Sequence, residues 1–198
     1  MTMTTRPRLI LASASPRRAE LLRQIGVDFL ISSVDLDERV EPGEAPDAYV
    51  RRLALAKARA VRQNPGNETS LVLGSDTSVV LDGVILGKPR DEADFNVMLS
   101  SLSGRRHQVW TGVALVRESG SELVTAVVTE VSFRTIEPRE LAAYWRTGEP
   151  CDKAGGYGIQ GKGAVFVERI EGSYSAVMGL PLFETADLLR QAGVELWP

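Results

Sequence analysis

The sequence predicts an α/β protein with a mixed sheet. Apolar strand-like runs alternate with amphipathic helical segments along the chain, and neither an internal repeat nor a low-complexity linker interrupts them. The hydrophobic share, 43%, supports a real core. No break in composition separates independent domains, so residues 1–198 read as one domain, long enough to carry two lobes.

The elements follow in order. Leu9 to Ala12 is a short buried strand. Ser15 then reads as an N-cap and Pro16 as the first residue of a helix that buries Leu21, Leu22 and Ile25 and stops at Gly26. "VDFLISSVDLDE" alternates as a strand ending in acids, and the loop "VEPGEAP" leads to the strongly amphipathic helix "DAYVRRLALAKARAVRQ". "SLVLGSD" reads as an apolar strand ending at Asp76, followed by a hairpin whose turn is Asp82-Gly83. "DEADFNVMLSSLSG" is a helix with acids in its first turn and Gly104 beyond its end. Two long strands, "HQVWTGVALVRE" and "ELVTAVVTEVSFRT", join around Ser119–Ser121. "EPRELAAYWRTG" is a helix, a glycine-rich segment follows, then a strand "VFVERIEG" and a final helix in "LPLFETADLLRQAG".

Composition excludes several classes of function. The net charge of −3 leaves no broad basic field, so stable nucleic-acid binding is not expected. One cysteine, Cys151, and one histidine, His107, rule out an intrachain disulfide and a Cys/His zinc site. A reducing cytoplasm fits this usage. Arg6, Arg8, "LILA" and "ASA" imitate a signal peptide, but four apolar residues fall short of the roughly 7–15 that a signal needs. No window approaches the roughly 18 apolar residues of a membrane span, so no membrane partner is expected.

Five groups of residues bear on chemistry. Arg17 and Arg18 stand in the first turn of a helix, where the macrodipole disfavours cations. Either they are solvated at small cost, or, with Ser13 and Ser15, they bind a phosphate at the free N–H groups. Lys57 falls on the apolar line of its helix with Val50, Leu53, Ala60 and Val61. It either snorkels to the edge or lines a cleft that holds an anion. Asp76 and Glu38 lie at or near predicted strand ends, where α/β sheets bind ligands; either the two acids converge and can hold a Mg²⁺ that bridges substrate phosphates, or Glu38 is merely a surface acid in "DLDER". Lys88, in "GKPRD", sits on a loop able to face the same cleft, or is an ordinary surface lysine.

The glycine-rich "GGYGIQGKG" matches neither a dinucleotide fingerprint nor a P-loop in context, since a strand-like run follows it and Gly163 replaces the required Ser or Thr. Its glycines are expected to let the backbone approach a flat ligand, with Gln160 reading a base edge and Lys153 adding charge. His107 is expected to be structural and Cys151 a bystander thiol. Several cations against two carboxylates, with no nucleophile, suggest phosphate-ester chemistry with metal-bound water.

The motifs "LASASPRRAELL", "YVRRLALAKA", "LGSDTSVVLDG", "LGKPRD", "DKAGGYGIQG" and "GSYSAVMGLPL" together resemble those of the Maf family of nucleoside triphosphate pyrophosphatases, in the family's order and over nearly the whole chain. The resemblance implies an elongated, inosine-triphosphatase-like (Maf/Ham1) mixed-sheet fold with a cleft between two lobes. It implies hydrolysis between the α and β phosphates, with a divalent cation, Mg²⁺ or Mn²⁺. By resemblance, Asp76 is the proton acceptor, and Ser13, Arg18, Glu38, Lys57 and Lys88 handle phosphates and metal. The metal positions it implies are Glu38 and Asp76, with Asp76 either the base or a ligand.

Arg17, Thr77 and Gln160 stand where the branch resembling dTTP/UTP pyrophosphatases has them, unlike the branch acting on 7-methyl-GTP. Ser75 departs from the common Ala, and Gly87 from a frequent Glu. The implied activity removes dTTP, UTP or modified pyrimidine triphosphates before misincorporation. The implied partner is the small nucleotide, in a homodimer. The alternative is a non-catalytic nucleotide-binding regulator of septum formation.

Overall fold

A computed structural model describes residues 8–197. Arg6 of the signal-like pattern, and both ends of the predicted 1–198 domain, lie outside the described residues. Seven strands form one mixed sheet: β1 (Leu9–Ala12), β2 (Leu30–Ser32), β3 (Leu71–Leu81), β4 (Val84–Leu86), β5 (Arg106–Val116), β6 (Glu122–Phe133) and β7 (Val167–Glu171). The order is β2-β1-β3-β5-β6-β7, with β4 paired to β3. β1 runs parallel to β2 and β3, setting Leu11 opposite Ile31 and Leu73. β3–β4 and β6–β7 are antiparallel. Among the described residues, six α-helices accompany them: α1 (Pro16–Gln24), α2 (Pro46–Arg62), α3 (Glu92–Leu102), α4 (Pro138–Trp145), α5 (Tyr174–Val177) and α6 (Leu182–Gln191). None of the helices among the described residues is long and apolar enough to cross a membrane.

The described chain divides into two compact units. The first comprises 8–76, 111–126 and 179–197; the second comprises 77–110 and 127–178. In the first, Ile10, Ala12 and Val72 of the sheet pack with Ala58 and Val61 of α2 and with Val116. In the second, Phe95, Leu99 and Leu102 of α3 meet Leu141 and Tyr144 of α4 and the sheet residues Val79, Val109 and Phe133. Phe95 is fully buried. Its ring lies 5.1 Å from that of Trp145 and 6.1 Å from that of Tyr144, distances at which tilted aromatic pairs attract.

Local chemistry explains most boundaries. Pro16, Pro46 and Pro138 each open a helix, where the missing N–H costs nothing. Asp91 caps α3 by accepting from the Asp94 N–H, and Glu137 with Glu140 forms a capping box on α4. At the predicted hairpin, Asp82 (φ +50°) and Gly83 (φ +79°) adopt the two positive φ values of a type I′ turn.

Several expectations are corrected. Ser15 occupies the N-cap position of α1, but its side chain makes no capping bond; Ser13 Oγ instead accepts from the Ser15 N–H at 3.2 Å. The second predicted strand shrinks to three residues on the sheet edge, because Leu30 and Ile31 are about half exposed and bury little. Asp76 does not end a strand. β3 runs on through it to Leu81, since Val79, Val80 and Leu81 are apolar and buried and Val79 and Leu81 join a core of their own.

Candidate functional site

Five of the sequence-predicted residues come together in the first unit. Glycine makes this possible. Gly74 of β3 lies so close to α2 that a Cβ there would fall on the Ala54 carbonyl oxygen and 3.0 Å from the Ala58 nitrogen. Gly112 of β5 meets the Val50 carbonyl and the Arg51 nitrogen in the same way. The helix backbone therefore rests directly on the sheet, and Lys57 reaches Asp76, two residues on from Gly74.

Lys57 Nζ lies 2.6 Å from Asp76 Oδ1 and 2.6 Å from Glu38 Oε1. The Lys57 and Asp76 side chains are 13% and 8% exposed, so this is a largely desolvated ammonium between two carboxylates. Lys57 does not snorkel out to solvent: it turns inward, and its counter-ions in the structure are the protein's own acids. Tyr49, one turn into α2, donates its hydroxyl to the Glu38 carbonyl at 2.8 Å and anchors the loop that carries Glu38. Burial, with the Asp76 and Glu38 charges, pushes the Tyr49 phenol up to about 12, so it keeps its proton.

Arg18 explains the basic first turn of α1. Its Nε donates to the Gly179 carbonyl at 2.8 Å and its Nη1 to Ser13 Oγ at 3.2 Å. Burial lowers its affinity for a proton, the charges of Asp76 and Glu38 oppose that, and Arg17 works with burial. The guanidinium thus shares the field of both carboxylates and remains charged. Arg17 is partly exposed beside it. Ser75 is fully buried, and its hydroxyl lies 2.9 Å from the Gly112 carbonyl and 2.8 Å from the Gly179 carbonyl. Gly179 O therefore takes both Ser75 and Arg18. Sequence reasoning missed Tyr49 and Gly179 as contributors, although both lie inside motifs quoted for the resemblance.

Glu38 and Asp76 bring hard carboxylate oxygens to one point, the donor type that Mg²⁺ and Mn²⁺ take alongside substrate phosphates. Among the described residues no group of three His, Cys, Asp or Glu forms a complete cage.

The second unit holds Thr77, Lys88, Lys153 and Gln160. Thr77 follows Asp76 in β3 and is half-buried. Lys88 is exposed on the loop after β4, and that loop is held where Gly155 N–H donates to the Gly87 carbonyl at 3.0 Å. Lys153 Nζ donates to the Glu149 carbonyl and to Asp152 Oδ1, each at 2.7 Å. Gln160 is exposed at the end of the glycine-rich segment.

The glycines there serve the protein's own packing. Side chains at Gly155 and Gly156, both with positive φ, would strike Val79 and Leu99, and those at Gly161 and Gly163 would strike Glu149 and Tyr144. His107 is buried with Nε2 2.8 Å from the Tyr157 hydroxyl, in the structural setting expected of it. Cys151 is an exposed free thiol.

Comparison with known proteins bears on both fold and family. A family model described as "Maf-like protein" matches residues 8–192. A "dTTP/UTP pyrophosphatase" of Hahella chejuensis is 51% identical over 193 residues, which cover 97% of this chain and 96% of the relative. One of Anaeromyxobacter dehalogenans is 55% identical, covering 96% of each chain. The solved Ham1 protein of Staphylococcus aureus superposes on 94% of this chain and 99% of its own with a TM-score of 0.50 at 12% identity, which is a likeness of fold.

Proposed function

The chain belongs to the Maf family, and from that premise we propose that it is a nucleoside triphosphate pyrophosphatase that hydrolyses dTTP and UTP. The observation that carries this reading is the cluster of Lys57 with Glu38 and Asp76, flanked by Arg18 and Ser13. It sets fixed positive charge beside two carboxylates. That combination suits attack by water on the α-phosphorus, with the α–β bridging P–O bond breaking and pyrophosphate leaving.

In this reading Arg18, Ser13 and Arg17 bind the triphosphate, and Lys57 and Lys88 stabilise the charge that develops on it. Glu38 and Asp76 would hold the Mg²⁺ or Mn²⁺ ion, which when bound neutralises phosphate charge and polarises water. Asp76 is the residue on which the water step depends, as proton acceptor or as ligand. Lys153, Thr77 and Gln160 select the nucleotide, with Gln160 pairing to the pyrimidine edge. The enzyme acts in the cytoplasm, as a homodimer, to clear pyrimidine triphosphates.

Pyrophosphate release with Mg²⁺ across dTTP, UTP, dCTP, ATP and GTP tests the proposal. Preference for dTTP and UTP is the expected result. Comparable rates on all five overturn the specificity. Binding without turnover would leave the septum-regulator reading in its place.

A further inference from the structure

Gln160 stands at the corner of a β-turn. Gly161 N–H closes the turn on the Gly158 carbonyl at 3.2 Å, the preceding Ile159 is buried, and Gln160 points outward, exposed. Both sides of this turn are tied to two side chains. Tyr144, near the end of α4, accepts from the Gly158 N–H at 3.0 Å and donates its hydroxyl to Glu149 Oε1 at 2.7 Å. Glu149 Oε1 also accepts from the Gly163 N–H at 3.1 Å, and Oε2 accepts from the Lys162 N–H at 2.8 Å. Three backbone N–H groups bracketing Gln160 thus converge on one carboxylate–phenol pair. The clamp is close-fitting: a Cβ at Gly163 would lie 2.7 Å from the Tyr144 hydroxyl and 2.9 Å from the Gly158 carbonyl. Lys153, donating to the Glu149 carbonyl, fixes the acid's own backbone.

A glutamine amide offers a donor on one side and an acceptor on the other, and a half-turn exchanges them. It therefore selects a base edge only as well as its backbone is placed. Thymine and uracil present a carbonyl where cytosine presents an amino group, so a loosened turn lets the amide accommodate either.

We propose that Glu149, oriented by Tyr144, is a positioning residue for base selection, holding the 158–163 turn so that Gln160 discriminates dTTP and UTP from dCTP. The proposal rests on Gln160 reading the base, and the test separates the two ideas. Steady-state kinetics on dTTP and dCTP are compared for the wild-type chain, Glu149→Gln, Tyr144→Phe and Gln160→Ala. Amide hydrogen exchange and thermal melting are measured on the same proteins.

Glu149→Gln keeps the shape but loses an acceptor oxygen. It is expected to lower the dTTP/dCTP ratio of kcat/KM about tenfold, chiefly through KM for dTTP, and to speed exchange at Lys162 and Gly163. Tyr144→Phe moves the ratio the same way and frees the Gly158 amide. If Gln160→Ala loses the ratio while Glu149→Gln keeps it, Glu149 has no positioning role, though Gln160 still reads the base. An equal fall on both nucleotides with a lower melting temperature makes Glu149 merely structural, which also overturns the proposal. If Gln160→Ala keeps the ratio, base reading by Gln160 is wrong and the proposal falls with it.

Discussion

At the scale of single residues, the central fact is one ammonium shared by two acids. Asp76→Asn leaves Lys57 its bond to Glu38, so the fold is retained. Turnover on dTTP is expected to fall by about 10²–10⁴, and near-normal kcat would remove Asp76 from the chemistry. Lys57→Ala instead strands a buried carboxylate, and denaturant unfolding should show a loss of about 2–4 kcal/mol. His107 gives a pH dependence of a different kind. Burial pushes its imidazole down to about 4 from 6.5. Between those values the unfolded chain binds a proton that the folded chain refuses. Stability from this group is therefore complete above pH 6.5 and declines as pH falls towards 4, by up to about 3 kcal/mol. Chemical denaturation at pH 7 and pH 4.5 should show the decline, and His107→Phe should flatten it.

At the scale of elements, the packing of α2 on β3 and β5 decides where Lys57 can reach. A methyl at Gly74 meets backbone atoms of α2, which cannot swing aside as a side chain would. Gly74→Ala is expected to push the helix outward, costing about 1–3 kcal/mol, and to lower kcat by more than the lost folded fraction explains. Gly83→Ala is the contrasting case. Nothing lies within 4 Å of the added Cβ, but φ of +79° strains any side chain, so it should cost about 1 kcal/mol and leave kcat alone. Melting temperature and kcat together separate lack of space from backbone strain. The long course of β3 belongs to this scale too. A strand read as ending at Asp76 continues because the residues beyond it are apolar and find a second core around Phe95 and Phe133.

At the scale of the whole molecule, the boundaries of the two compact units fall inside β3, β5 and β6 and, once more, between Met178 and Gly179 in the connection from α5 to α6. No composition break marks these boundaries, which is why the sequence alone does not give their positions. If a divalent cation is needed as proposed, chelation should abolish pyrophosphate release, and Mg²⁺ or Mn²⁺ should restore it. What the amino-acid order determined unaided was local: alternating periods, proline at helix starts, the Asp82-Gly83 turn, and the motifs that carry the family. It also marked Lys57 and Asp76 as candidates, because charge in an apolar frame needs a partner, Ser13 and Arg18 because they stand at a helix start, and Glu38 because it lies near a strand end. Which partner each takes was decided only by the tertiary structure. The spacing of Lys57 could not say that its counter-ions are Glu38 and Asp76, nor could the glycine pattern say that Glu149 and Tyr144 fill the room it leaves. These contacts join residues distant along the chain, and their geometry depends on how closely backbones pack, a quantity no local pattern encodes.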